Sequence, residues 1–81
     1  MEAGLKNTQN RVVGTKQVLR ALGDGMAAQV FVGQDADSFI YHKINALCEE
    51  KRVPLIVVDS MAQLGKLCQV GVKTAAAAVL K

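Results

Sequence analysis

The chain has 81 residues, of which 51% are hydrophobic and 21% charged, with a formal net charge of +3 and a pI near 9.1. That length holds one domain with one core, and the composition excludes a disordered tail. Apolar runs such as Val30–Val32, Leu55–Val58 and Ala75–Leu80 are far shorter than the roughly 20 residues of a membrane span, and the opening Met-Glu-Ala-Gly-Leu-Lys lacks the layout of a signal peptide, so the chain reads as soluble and cytoplasmic with no membrane partner.

In chain order, residues 2–9 carry weak helical periodicity and predict a short helix. Arg11-Val12-Val13 is a short strand candidate running into Gly14. Thr15 offers an N-cap oxygen to a helix reaching about Leu22, with Val18, Leu19 and Leu22 as its buried face. Gly23 and Gly25 stop it, glycine being suited to a left-handed C-cap. Ala28–Val32 reads as a buried strand, Gly33 to Ala36 as a loop, and Asp37 as the N-cap of the next helix. Ile40, Ile44, Leu47 and Cys48 recur at i, i+4, i+7 and i+8, one helix face. The charged run Glu49–Arg52 ends that helix in solvent.

Beyond Val53-Pro54, Leu55–Val58 reads as a strand buried on both sides. Ser60-Met61-Ala62-Gln63 fits the S-x-x-Q capping box of a helix with Leu64, Leu67 and Cys68 as its apolar face, followed by a loop from Gln69 to Lys73. For Thr74–Leu80 the residues leave two readings open: four alanines favour helix, whereas an apolar segment closing an α/β sheet would be a strand. The alternation of apolar runs and amphipathic segments predicts α/β layering. With no internal repeat and no Ser/Pro-rich linker, residues 1–81 read as a single domain. Cys48 and Cys68 fall on apolar stripes, form no C-x-x-C pair and, with a single His, suggest no zinc site; they read as reduced core residues.

Catalytic motifs are not found. His42 falls on the polar side of its helix without a local nucleophile, and the sequence holds neither a P-loop nor G-x-G-x-x-G, so an enzyme and a cofactor are both unexpected. The informative stretch is Gly14-Thr15-Lys16-Gln17-Val18-Leu19-Arg20. Lys16 and Arg20 are i, i+4 neighbours, Gln17 and Arg20 are i, i+3 neighbours, and all three share the face opposite Val18 and Leu22. A lysine in the first turn opposes the helix dipole; a bound phosphate would reverse the sign, drawing on the free helix N–H groups, Lys16 and Arg20 together. An ordinary solvated polar face would show the same residues. A second stretch, Gln69-Val70-Gly71-Val72-Lys73, sets two valines around a glycine, suited either to stacking on an extruded base or to turning inward at the start of the last strand.

The run Val12-Val13-Gly14-Thr15-Lys16-Gln17 with Arg20 resembles the start of the second helix in the kink-turn RNA-binding, ribosomal-protein-like family, closest to its short bacterial members. The resemblance continues through Val30-Phe31-Val32-Gly33-Gln34-Asp35-Ala36-Asp37, Cys48, Val53-Pro54, Val58-Asp59-Ser60-Met61, Leu64-Gly65 and the Ala-rich end. It implies a three-layer α-β-α sandwich with a central four-stranded mixed sheet, the Ala-rich segment being a strand. It also implies a protein that recognises kink-turns through tandem sheared G·A pairs without catalysis, as a monomer on ribosomal or riboswitch-type RNA, with a ribosome-associated or protein-interaction subunit as the alternative. The family pattern is Gly-x-Asn-Glu with a basic residue three positions after the Glu; here Gly14 and Arg20 match, while Lys16 and Gln17 replace the Asn and Glu. By the same resemblance Gly14, Thr15, Lys16, Gln17 and Arg20 would meet RNA, Val70 and Val72 would cover an extruded nucleotide, Lys73 (or Arg11) would meet the phosphates, and Asp37 would lie in an acidic turn near the RNA. Exchanging the carboxylate for an amide removes an acceptor-only group, so base reading should loosen as phosphate attraction grows.

Overall fold

A β-branched strand that empties into glycine, followed by an amphipathic helix, recurs along this chain, and the computed structural model, which describes residues 10–81, shows what that repetition builds. The elements are β1 (Arg11–Val13), α1 (Thr15–Gly23), β2 (Ala27–Gly33), α2 (Ser38–Lys51), β3 (Leu55–Val58), α3 (Met61–Leu67) and β4 (Ala76–Leu80). The helix expected over residues 2–9 lies outside the described residues. The strand order is β1-β4-β2-β3. β2 and β3 pair in parallel, and β4 runs antiparallel to both β1 and β2, so β1, β2 and β3 all point the same way.

One face of the sheet packs under α1 and α2, where Val18, Leu22, Val30, Ile44, Ala76 and Ala78 form one buried cluster. The other packs under α3, where Phe31, Val58, Leu64, Cys68 and Ala77 form a second. This is the expected three-layer sandwich. Full burial of Phe31, Leu22, Ile44 and Leu64 stabilises it by about 1.5–3 kcal/mol each.

The Ala-rich segment is a strand because of where it lies. β4 sits between β1 and β2, with Ala76 and Ala78 facing one helical layer and Ala77 the other, all fully buried. In this central position the alanines are buried between two helical layers and paired on both edges, and that packing and pairing outweigh the helix propensity of alanine. One expectation is corrected. Leu55–Val58 is not buried on both sides: β3 is an edge strand paired only with β2, and Val57 is 46% exposed.

Helix ends follow local chemistry. α1 closes with the Gly25 N–H donating to the Leu22 carbonyl (3.1 Å) and the Met26 N–H to the Ala21 carbonyl (2.9 Å), with Gly25 at φ 71°; this is the Schellman pattern. α2 and α3 end the same way, but with Arg52 (φ 58°) and Gln69 (φ 62°) in the left-handed position.

Candidate functional site

Because β1, β2 and β3 point the same way, their carboxyl ends meet at one end of the sheet, and β4 begins there, with Val13 opposite Ala77 and Val32 opposite Ala76. The three helices of the described residues therefore all start at this end. In open α/β sheets, ligands bind in the crevice beyond the carboxyl ends of the strands. Backbone hydrogen bonds tie the end together: the Gly14 N–H donates to the Ala76 carbonyl (2.9 Å), the Gly33 N–H to the Ala75 carbonyl (3.0 Å) and the Thr74 N–H to the Met61 carbonyl (3.1 Å).

The three helix starts are built differently. Asp37 caps α2, its Oδ1 accepting from the Phe39 N–H at 2.8 Å, as expected from sequence. α3 has two caps. Ser60 Oγ accepts from the Gln63 N–H (3.0 Å), as the capping box predicts, and Asp35 Oδ1 accepts from the Met61 N–H (2.6 Å). α1 has no side-chain cap. Thr15 was expected as its N-cap; the structure places Gly14 there instead, at φ 107° and ψ 147°, and makes Thr15 the first helical residue. The reason is the glycine: this region of backbone space is open almost only to Gly, so the turn from β1 into α1 is made one residue early. The first N–H groups of α1 therefore have neither intrahelical nor side-chain acceptors among the described residues.

Lys16 and Gln17 now fall at the second and third helical positions, with Arg20 one turn on. All three are exposed, opposite the buried Val18, Ala21 and Leu22, and none has a side-chain partner among the described residues. The start of α1 is thus a concentration of donors and positive charge: the helix dipole, the open N–H groups, a lysine and an arginine.

Beyond α3, residues 69–75 run back along that helix to the same end of the sheet. The Val70 N–H donates to the Gly65 carbonyl (3.0 Å), and Thr74, itself buried, closes onto Met61. Gly65 is required for this approach, because a Cβ there would run into the Val72 carbonyl oxygen. Val70 and Val72 do not turn inward; Val72 is 72% exposed and Val70 36%. They line, with Ala62, Lys66, Gly71 and Lys73, an open groove of about 370 Å³.

The structure therefore brings Gly14, Thr15, Lys16, Gln17, Asp37 and Lys73 to one end of the sheet. Arg20 stands a turn along α1 on one face, while Val70 and Val72 stand on the other face beside α3. Arg11, named as a possible phosphate contact, is otherwise engaged: its Nη2 donates to the Cys68 carbonyl (2.8 Å) at the end of α3. The cap from Asp35 leaves no local signal in the sequence, since it joins residues 26 positions apart. Cys48 and Cys68 are buried and free. Burial pushes the Cys48 thiol up to about 11, and raises that of Cys68 against a smaller opposing pull from Arg11, so neither is a thiolate near neutral pH. His42 is exposed, its ring meeting that of Tyr41 at 5.6 Å. No group of three or more His, Cys, Asp or Glu among the described residues could hold a metal, and no helix of theirs is long and apolar enough to cross a membrane.

Residues 3–81 match the model of the Ribosomal protein L7Ae/L30e/S12e/Gadd45 family. An RNA-binding protein of Geobacillus kaustophilus (strain HTA426) is 50% identical over 70 residues, covering 86% of this chain and 85% of that protein. RNA-binding protein YbxF of Geobacillus stearothermophilus is 49% identical with the same coverage. Among solved structures, the 15.5kD RNA binding protein of Giardia lamblia superposes with a TM-score of 0.87 at 30% identity, covering 99% of this chain and 68% of that one.

Proposed function

This chain belongs to the Ribosomal protein L7Ae/L30e/S12e/Gadd45 family, and on that premise we propose that it binds structured RNA, recognising and stabilising kink-turns through their tandem G·A pairs, as one monomeric domain without turnover. The single observation that carries this reading is the uncapped start of α1, where Gly14 opens the backbone and Lys16, Gln17 and Arg20 stand exposed without partners among the described residues. Its neighbours in fold and sequence carry RNA-binding names, which supports the same reading.

In this mechanism the start of α1 enters a groove of the bent RNA. The open N–H groups and Lys16 meet a phosphate, Gln17 offers a donor and an acceptor to base edges, and Arg20 extends the contact one turn along. Thr15, at the first helical position, contributes its N–H to the same set. Lys73 meets the backbone from the other side of the sheet's end, and Val70 and Val72 cover an extruded nucleotide by apolar contact. Asp37 belongs to the turn beside the interface, its carboxylate holding the start of α2. Because only the bent RNA fits, binding shifts the RNA's own equilibrium toward the kink. With Lys16, Arg20 and Lys73 neutralising about three phosphates, log affinity falls against log salt with a slope of about −2 to −3.

A calorimetric titration against a kink-turn RNA, beside the same duplex with its G·A pairs replaced by Watson–Crick pairs, tests this. Preference for the kink-turn is the expected result. Equal, weak and steeply salt-dependent binding to both would reduce the start of α1 to a nonspecific RNA patch, and no binding to either would favour a protein-interaction subunit of the same fold.

A further inference from the structure

The groove between α3 and the returning segment is built, not incidental. Two backbone hydrogen bonds, from Val70 N–H to the Gly65 carbonyl and from Thr74 N–H to the Met61 carbonyl, pin the segment onto the helix at both ends. The buried Gly65 lets the backbone at Val72 come into contact between them. The groove so formed is lined by Ala62, Lys66, Val70, Gly71, Val72 and Lys73.

Its charge is one-sided. Two lysines, Lys66 and Lys73, line the groove, no acidic residue does, and neither lysine has a partner among the described residues. Two other grooves differ: one beside α1 holds Asp24 as well as Arg20, and one lined by Gln34, Tyr41 and Val57 carries no charge. Lys66 lies in the last turn of α3, where a cation suits the helix dipole. That accounts for one lysine and not for the pair, since Lys73 is outside any helix. Two like charges beside one apolar lining, with no acidic residue among them, suit an anion.

We propose that Lys66 is a further RNA-anchoring residue, which with Lys73 holds a phosphodiester of the bound RNA in this groove. The inference rests on the RNA-binding reading and extends it. The RNA contact does not stop at the end of the sheet but continues down the flank of α3, on the face opposite α1. The sequence gives no sign of this, because Lys66 reads there as an ordinary helix-terminal lysine.

The test is a salt series of titrations with the kink-turn RNA on the full chain and four variants: Lys66→Ala, Lys66→Arg, Lys16→Ala and Lys43→Ala, the last an exposed lysine on α2. Removing one phosphate contact makes the slope of log affinity against log salt shallower by about 0.7–0.9 and weakens binding about fivefold at 0.15 M salt. The expected result is that Lys66→Ala shows both effects, Lys66→Arg restores the wild-type slope, and Lys43→Ala changes neither. A wild-type slope in Lys66→Ala, with Lys16→Ala still weakened, would overturn the assignment of Lys66 and leave the RNA-binding reading standing. Loss equal to that of Lys43→Ala would likewise overturn it, as a general effect of net charge. Failure of the wild-type chain to bind the RNA would remove the reading beneath it. Capture of a Glu-rich peptide, lost in Lys66→Ala while the RNA slope is unchanged, would give the groove to an acidic protein instead.

Discussion

Three helices of this molecule begin at the same end of the same sheet, and two of them are finished in the ordinary way. α2 takes the carboxylate of Asp37, while α3 takes the hydroxyl of Ser60 and the carboxylate of Asp35. α1 begins at a glycine with no cap and puts a lysine in its first turn. The same orphan N–H groups and the same dipole are neutralised twice from within the chain, and the third time are left open and reinforced with positive charge. A fold that capped every start would be more stable; leaving one uncapped makes sense when an external anion completes it. The contrast separates stability from binding, so substitutions at the two kinds of helix start should move different observables.

The largest effect is expected at α1. On the proposed reading, Lys16→Ala combined with Arg20→Ala would remove two phosphate contacts, so binding to the kink-turn RNA should weaken about thirtyfold at 0.15 M salt, with the salt slope shallower by about 1.5–2. Both side chains are exposed and have no partner among the described residues, and such surface changes usually stay within about 0.5 kcal/mol of stability. The melting temperature should therefore hold while the titration collapses. Unchanged RNA affinity in this variant would remove the functional reading of α1.

The converse should hold at the capped starts. Asp35→Ala and Asp37→Ala each remove an acceptor from a helix N–H, at a cost of about 1 kcal/mol. For a domain of this size that lowers the melting temperature by about 4–8 °C. The RNA salt slope should not change, because a carboxylate neutralises no phosphate. A changed slope with an unchanged melting temperature would show that the turn from Asp35 to Asp37 acts on RNA directly.

Lys16→Glu sets the two observables against each other in one residue. A carboxylate in the first turn complements the helix dipole and should stabilise the protein by about 0.3–1 kcal/mol, which raises the melting temperature by about 2–6 °C. The same carboxylate repels phosphate, so RNA affinity should fall further than in Lys16→Ala. A variant that bound RNA as well as the wild type would show that the first turn of α1 does not face the backbone of the RNA.

How much of this was legible beforehand depended on how far apart the cooperating residues stand. The Asp37 cap, the Ser60–Gln63 box and the buried face of α1 are local, and periodicity and side-chain chemistry sufficed for them. The Ala-rich strand was not legible from its own residues, because alanine favours helix until the segment lies between two helical layers. The edge position of β3, which exposes Val57, and the cap that Asp35 gives Met61 both depend on which strands become neighbours. At the candidate site, the face shared by Lys16, Gln17 and Arg20 followed from helical spacing. The shift of the N-cap from Thr15 to Gly14 did not, since a hydroxyl at that position is the usual choice and only the backbone angle of Gly14 decides otherwise. That the start of α1 and the end of the segment after α3 share one end of the sheet comes from the pairing of β1 with β4, residues more than sixty positions apart.

The helix ends offer the smallest test, and there the comparison inverts. α1, irregular at its start, closes with Gly25 in the left-handed position, whereas α2 closes with Arg52 at φ 58°. A residue with a Cβ loses about 1–2 kcal/mol in that conformation, while glycine costs about 0.4–1 kcal/mol through the greater freedom of the unfolded chain. The balance favours glycine by about 0.5 kcal/mol, so Arg52→Gly should raise the melting temperature by about 2–4 °C. Arg52 ends α2 at the far end of the sheet from the start of α1, so the salt slope of RNA binding should be that of the wild type. A lower melting temperature would mean that the Arg52 side chain contributes more to the end of α2 than its backbone strain costs.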